Sequence, residues 1–209
     1  DSFFEKVTSD ATLKEKDIVA LIVPHSGYEY SGQVAAYAFK ALQGRYFDTV
    51  VVIAASHFHP FDGIAVYPKG AFRTPLGDIK IDEAMAEQLV NFNEKIKFAA
   101  QVFEKEHPVE VELPFLQKSL ENFKLVPVII GEINYSDSTM FSKALLSVTK
   151  GKNVLIVAST DLSHFYPSAI AVEKDTRTIS YIKTIDPSGL LGAYLKKESE
   201  MCGFYPAVT

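Results

Sequence analysis

Three short apolar runs in the chain each give way to a polar loop that carries a histidine. DIVALIV (17–23) leads into Pro24-His25, TVVVIAA (49–55) into Ser56-His57, and NVLIVA (153–158) into Ser159-Thr160-Asp161-Leu162-Ser163-His164. Short β-branched and aliphatic runs bounded by Pro, Gly or Ser read as buried strands. The coarse order along the chain is strand (17–23), helix (about 31–43), strand (48–55), a β-rich excursion (63–80), helix (82–92) and strand (99–103). It continues with helix (109–122), strand (124–131), helix (136–149), strand (153–158) and two helices at about 166–184 and 187–197. Strands alternating with helices predict an α/β fold of three αβα layers, a mainly parallel mixed sheet covered on both faces. In open sheets of this kind, ligands bind beyond the carboxyl ends of the strands. Imidazoles at 25, 57 and 164 are therefore expected to meet in one cleft.

At 209 residues the chain suits one domain, 1–209, with a full core. A hydrophobic fraction of 47% and a charged fraction of 22% are ordinary for a globular protein. The net charge of −5, with no basic stripe, argues against a nucleic-acid surface. Lys14-Glu15-Lys16 and Lys196-Lys197-Glu198 mix signs and read as solvated faces. No apolar stretch approaches the roughly 20 residues that span a bilayer. There is no basic-then-apolar leader, although Asp1 is not a natural first residue. The single cysteine, Cys202, allows no internal disulfide and suits a reducing compartment, so a cytoplasmic location is expected. Asp82, Asp186 (before Pro187) and Ser31 are the expected helix caps. Gly70, Pro75 and Gly77-Asp78 mark hairpin chemistry. Phe204 to Val208 opens a further apolar element, and a C-terminal part beyond Thr209 is expected.

Several residues carry candidate chemistry. His25 sits in a turn that either orders backbone or serves a site, and the helix after it would favour an anion. His57 and His59 share a side if the segment is extended; His57 lies nearer the strand end. Asp161 and His164 share a face if their loop winds helically, and an Asp that takes the Nδ1 proton of a His fixes its tautomer. Ser159, Asp161 and His164 also suggest a serine triad, but no G-x-S-x-G elbow is present. Glu106, His107 and Glu110 sit where a helix begins; acids there also suit the helix dipole. Cys202 reads as a small core residue or, beside a metal, as a thiolate.

The segments PHSGYEYSG, ASHFHP, RTPLGDIKID, EHPVEVELPFLQ, STDLSHF and CGFYP, in that order, resemble the Memo family. More narrowly they resemble its prokaryotic branch, AmmeMemoRadiSam system protein B. The resemblance implies a fold similar to the LigB type of class III extradiol dioxygenases. It also implies a metal site held by His25, His57 and Cys202, with Asp161, His164, Glu106 and His107 lining the same cleft. Phe58 stands where the family has a second His, and His59 comes one place later. Glu112 stands where eukaryotic Memo has a His, and Phe204 replaces an Arg after Cys-Gly. The family's N-terminal RxPAVAGxFYP segment and the strands beyond CGxxP are absent from the sequence.

Three functions follow as expectations. The first is a metal-dependent oxidoreductase acting on a small molecule. Two imidazoles and a thiolate suit Fe(II) first, with Cu or Zn next, and disfavour Mg and Ca. In it, His164 oriented by Asp161 handles protons, with His107 as second choice. Extradiol enzymes use a carboxylate where this chain has a thiolate, and neither Glu106 nor Glu110 is a sure substitute. The second is a binding or scaffold protein that uses the same cleft for a peptide, or for the radical-SAM and AMMECR1-type partners that the resemblance implies. The third, ranked last, is a structural zinc site, which needs four protein ligands.

Overall fold

A computed structural model describes residues 2–8 and 17–209; the Lys14-Glu15-Lys16 run lies outside the described residues. A short helix α1 (Ser2–Glu5) precedes β1 (Ala20–Val23), α2 (Tyr28–Lys40), β2 (Thr49–Ala55) and β3 (Ile64–Val66). The hairpin β4 (Ala71–Thr74) and β5 (Gly77–Lys80) leads to α3 (Glu83–Val90), β6 (Ile96–Phe98) and α4 (Pro108–Ser119). Then come β7 (Lys124–Ile130), α5 (Tyr135–Thr149), β8 (Val154–Ser159), α6 (Ser168–Lys183), α7 (Pro187–Leu195) and α8 (Phe204–Val208).

Among the described residues the main sheet has six strands in the order β1-β8-β2-β7-β3-β6. β1, β8, β2 and β7 run parallel, and β3 turns antiparallel to β7 while pairing parallel with β6. β2 is buried along almost its whole length, as its unbroken apolar run requires. Its alternate side chains feed two cores. Val50, Val52 and Ala54 meet α2 and α4 through Phe39, Leu113 and Leu116. Val51 and Ile53 meet α3 and α5 through Leu89 and Phe141. Helices thus cover both faces. The register sets Val23 opposite Ser159 and Ile53 opposite Ala158, so the loops after β1, β8 and β2 leave the sheet side by side.

Two expected caps hold. Asp82 accepts from Met85 N–H at 3.1 Å and from the Thr49 hydroxyl at 2.7 Å, tying α3 to the start of β2. Asp186 accepts from Gly189 N–H at 2.8 Å. Ser31 is not a cap. α2 begins earlier, after Gly27, and the Ser31 hydroxyl donates to the Ser26 carbonyl at 2.8 Å from inside the helix.

The strand expected at 99–103 is also displaced. β6 ends at Phe98 because its partner β3 ends at Val66, and without a ladder residues Ala100–Phe103 wind into a 3₁₀ turn that buries Val102. Of the 63–80 excursion, Ile64–Val66 joins the main sheet and only the β4–β5 pair stands apart. Pro127 sits inside β7 opposite Tyr67, just past the end of β3: Tyr67 N–H donates to its carbonyl at 3.1 Å, and Pro127 has no N–H to return. No described helix is long and apolar enough to cross a membrane.

Asp82→Ala removes both the α3 cap and the Thr49 bond, and is expected to lower stability by about 1–2 kcal/mol in a urea titration. An unchanged midpoint would show that the cap carries no load.

Candidate functional site

The loop after β1 is fixed by a carboxylate from the loop after β8. Asp161 Oδ1 accepts the backbone N–H of His25 at 3.0 Å and of Ser26 at 3.2 Å, and Oδ2 accepts the Ser26 hydroxyl at 2.6 Å. Burial pushes this carboxyl up, but the Ser26 hydroxyl, the neighbouring His25 and the two N–H groups outweigh it, so Asp161 lies below its ordinary range. The loop does not wind helically, so Asp161 does not take a proton from His164 Nδ1 as the sequence suggested. Its Oδ2 instead stands 3.8 Å from His164 Nε2 and 3.9 Å from His25 Nε2.

His25 is 2% exposed. Burial pushes it down to about 4, and the nearby His57, His107 and His164 act the same way against the pull of Asp161. At neutral pH it is therefore an uncharged imidazole, the form that ligates metals. Its Nδ1 is 2.9 Å from Ser159 Oγ, and its Nε2 is 3.3 Å from Cys202 Sγ.

Cys202 reaches this point because the chain before α8 is laced to the β8 loop. Cys202 N–H donates to the Asp161 carbonyl at 3.1 Å, Asp161 N–H donates to Sγ at 3.2 Å, and Gly203 N–H donates to Thr160 Oγ1 at 2.8 Å. A Cβ at Gly203 would stand 2.5 Å from the Ser159 carbonyl oxygen, so the close approach requires glycine. Burial raises the Cys202 thiol above its usual range in the metal-free protein, against the hydrogen bonds that favour the thiolate.

His57 is held by Glu106, which is 6% exposed. That carboxylate accepts His57 N–H at 2.6 Å, Phe58 N–H at 2.7 Å and the Ser56 hydroxyl at 3.1 Å, with His57 Nδ1 at 3.2 Å. Burial pushes Glu106 up, and these donors more than reverse it, so it stays ionised. An ionised acceptor at Nδ1 leaves His57 Nε2 free to face the cleft. His107 stands just before α4 without a side-chain capping bond, its ring centre 5.7 Å from that of His25 and 5.6 Å from that of His57; the His25 and His57 rings are 5.2 Å apart.

Two sets of donors emerge. The ligating atoms of His25, His57 and Cys202 lie within 4.8 Å of one another, as do those of Asp161, His164 and Cys202. Ligand bonds of about 2.0–2.3 Å bring donors to such separations around one ion, so the first set fits a soft or borderline metal.

His59 does not join either set, and its buried Nδ1 has no hydrogen-bond partner. Glu110 points away, lining with Tyr28, Pro114 and Phe115 a mostly apolar groove of about 540 Å³ that contains none of the clustered histidines. The serine triad is not formed, because Ser159 pairs with His25 and not with His164. Sequence reasoning gave no role to Ser26 or Thr160 and named Ser159 and Glu112 separately without pairing them. Ser159 Oγ donates to Glu112 Oε1 at 2.7 Å, and Glu112 is 0% exposed. Its signal was visible: an acid three residues after Val109 and four before Leu116, in the buried stripe of α4.

These features define an α/β protein whose sheet end gathers imidazoles, a thiol and ionised carboxylates within a few ångströms of one another. The chain belongs to the Memo family: the family described as Memo-like protein matches residues 1–209. It is 35% identical over 199 residues to a MEMO1 family protein of Saccharolobus islandicus (strain L.S.2.15 / Lassen #1), covering 92% of this chain and 70% of that one. The MEMO1 family protein of Sulfurisphaera tokodaii is 37% identical over 194 residues, covering 90% and 68%. One from Saccharolobus solfataricus is 35% identical over 199 residues, with 92% and 70% covered.

Because His25 is depressed in the folded state, its contribution to stability is complete above pH 6.5 and is lost as pH falls toward about 4. Asp161 and Glu106, also depressed, add a second loss below about pH 4. Urea midpoints of chelator-treated protein should fall in these two stages, and His25→Gln should flatten the first. A wild-type curve level from pH 6.5 to 4.5 would contradict this.

Proposed function

We propose that the cleft holds a redox-active metal ion and that the protein is a metal-dependent oxidoreductase acting on a small molecule. The observation that carries this is the mutual closeness of the His25, His57 and Cys202 donor atoms. Fe(II) is the first choice, followed by Cu and Zn, since a sulfur donor disfavours Mg and Ca. An ion held by these residues supplies Lewis acidity and, as iron or copper, electron transfer. The proposed relationship is to the LigB-like non-haem iron dioxygenases, within the AmmeMemoRadiSam system protein B branch of the family, in the cytoplasm.

The other side chains suit supporting roles. His164, 35% exposed and with Nε2 3.8 Å from Asp161 Oδ2, suits giving or taking a proton there. Its loop is braced from outside: Ser163 N–H donates to Asp175 and the Tyr166 hydroxyl to Glu200, with Phe165 at a left-handed φ of 62° between them. His107, at the start of α4, is a second proton-handling group. Structural zinc is disfavoured, because neither close-donor set exceeds three members among the described residues.

A non-catalytic alternative draws on the apolar groove beside Tyr28 and Glu110, which suits an extended peptide or a radical-SAM or AMMECR1-type partner better than a small polar substrate.

Elemental analysis of anaerobically purified protein is the test. Wild type should carry close to one equivalent of iron or copper and take up oxygen with its substrate. His25→Ala, His57→Ala and Cys202→Ala should each lose most of the metal, at about 10-fold or greater cost in affinity. His164→Ala should keep the metal and lose turnover. Undiminished metal in all three ligand variants would sink the proposal, and metal-free wild type that binds a peptide tightly would favour the alternative.

A further inference from the structure

The two imidazoles of the cleft are backed in different ways. His57 Nδ1 meets an ionised carboxylate directly, whereas His25 Nδ1 meets a hydroxyl, Ser159 Oγ, which in turn meets Glu112. Both members of this second chain are sealed from solvent, each 0% exposed. A buried carboxyl inside an apolar helix stripe is costly, and Glu112 is incompletely satisfied there: Oε2 has no hydrogen-bond partner, and only Oε1 is used. Packing alone gives no reason for an acid at this position, since Val109, Leu113 and Leu116 fill the same stripe with apolar volume. The reason lies one bond further on.

A hydroxyl has one proton to donate. If Ser159 gives it to Glu112 Oε1, Ser159 must act as acceptor toward His25, so the His25 proton sits on Nδ1 and the lone pair of Nε2 faces Cys202 Sγ at 3.3 Å. If Ser159 gave it to His25 instead, the ring proton would move to Nε2 and block the ligand atom. We propose that Glu112 is a positioning residue: by accepting the hydrogen bond of the Ser159 hydroxyl it selects the His25 tautomer that presents a bare Nε2 to the metal. Among the described residues the competing acceptor near Ser159 is the Pro108 carbonyl at 3.4 Å, a longer contact than the 2.9 Å to His25 Nδ1. This deepens the metal-holding proposal and rests on it only for affinity; the tautomer itself belongs to the metal-free protein.

The test is ¹⁵N NMR of the His25 ring in chelator-treated protein, paired with Zn(II) affinity by chelator competition. Wild type should show the Nδ1–H tautomer. Glu112→Gln retains an amide oxygen that accepts from Ser159 and should keep both the tautomer and the affinity. Glu112→Leu should shift His25 to Nε2–H and weaken Zn(II) binding roughly 10- to 100-fold. It should hold or raise the urea midpoint, because an unpaired buried acid is gone; a purely structural role would lower that midpoint and leave the tautomer alone. In a Ser159→Ala background the Glu112→Leu change should have no further effect on affinity, since the two act as one unit. An Nε2–H tautomer in wild type, an Nδ1–H tautomer in Glu112→Leu, or additive losses in the double variant would each overturn the assignment. If wild type takes up no metal at all, the metal-holding proposal fails while the tautomer result still decides the role of Glu112.

Discussion

The cleft depends on one ionised carboxylate, that of Asp161. Two parallel strands with β8 between them end side by side, but strand ends alone do not hold loops still. Asp161 joins them: its side chain accepts from the backbone at His25 and Ser26 and from the Ser26 hydroxyl, while its own N–H and carbonyl bracket Cys202. A carboxylate with several N–H and O–H donors is a strong, directional joint. One residue thereby sets the distance between the loop after β1, the loop after β8 and the segment before α8.

Around that joint the site is asymmetric. The backing of His57 is a buried, ionised carboxylate met directly by a partly exposed ring, while the backing of His25 runs through a hydroxyl to a carboxyl that burial pushes well above its ordinary range, with the Ser159 bond opposing and Asp161 adding to the shift. The His57 and His164 rings are partly exposed, at 27% and 35%. His25 is buried and Cys202 half-buried, so under the metal-holding proposal this is the rigid side of the site.

Much of this was legible in the sequence. The unbroken apolar run of β2 marked a central strand, and the histidines after three such runs marked the sheet end where they meet. Asp82 and Asp186 announced their helices. What failed did so for tertiary reasons. The 99–103 segment has strand composition but no partner, because β3 stops at Val66. Ser31 looks like a cap until the helix is seen to start at Gly27. Asp161 and His164 do stand close, at 3.8 Å, but through Nε2 and with no helical turn, and the hydrogen bonds that Asp161 accepts come from residues 135 and 136 positions away. Glu112 was named without a role, because an acid in a helix is unremarkable until its neighbours in the stripe prove buried.

The central claim is that two imidazoles and the lone thiol share one ion. X-ray absorption at the metal edge of iron-loaded protein tests this most directly. The account predicts one sulfur scatterer near 2.3 Å with nitrogen donors at about 2.0–2.1 Å, and loss of the sulfur shell in Cys202→Ser. A first shell of oxygen and nitrogen only, unchanged by that substitution, would contradict it.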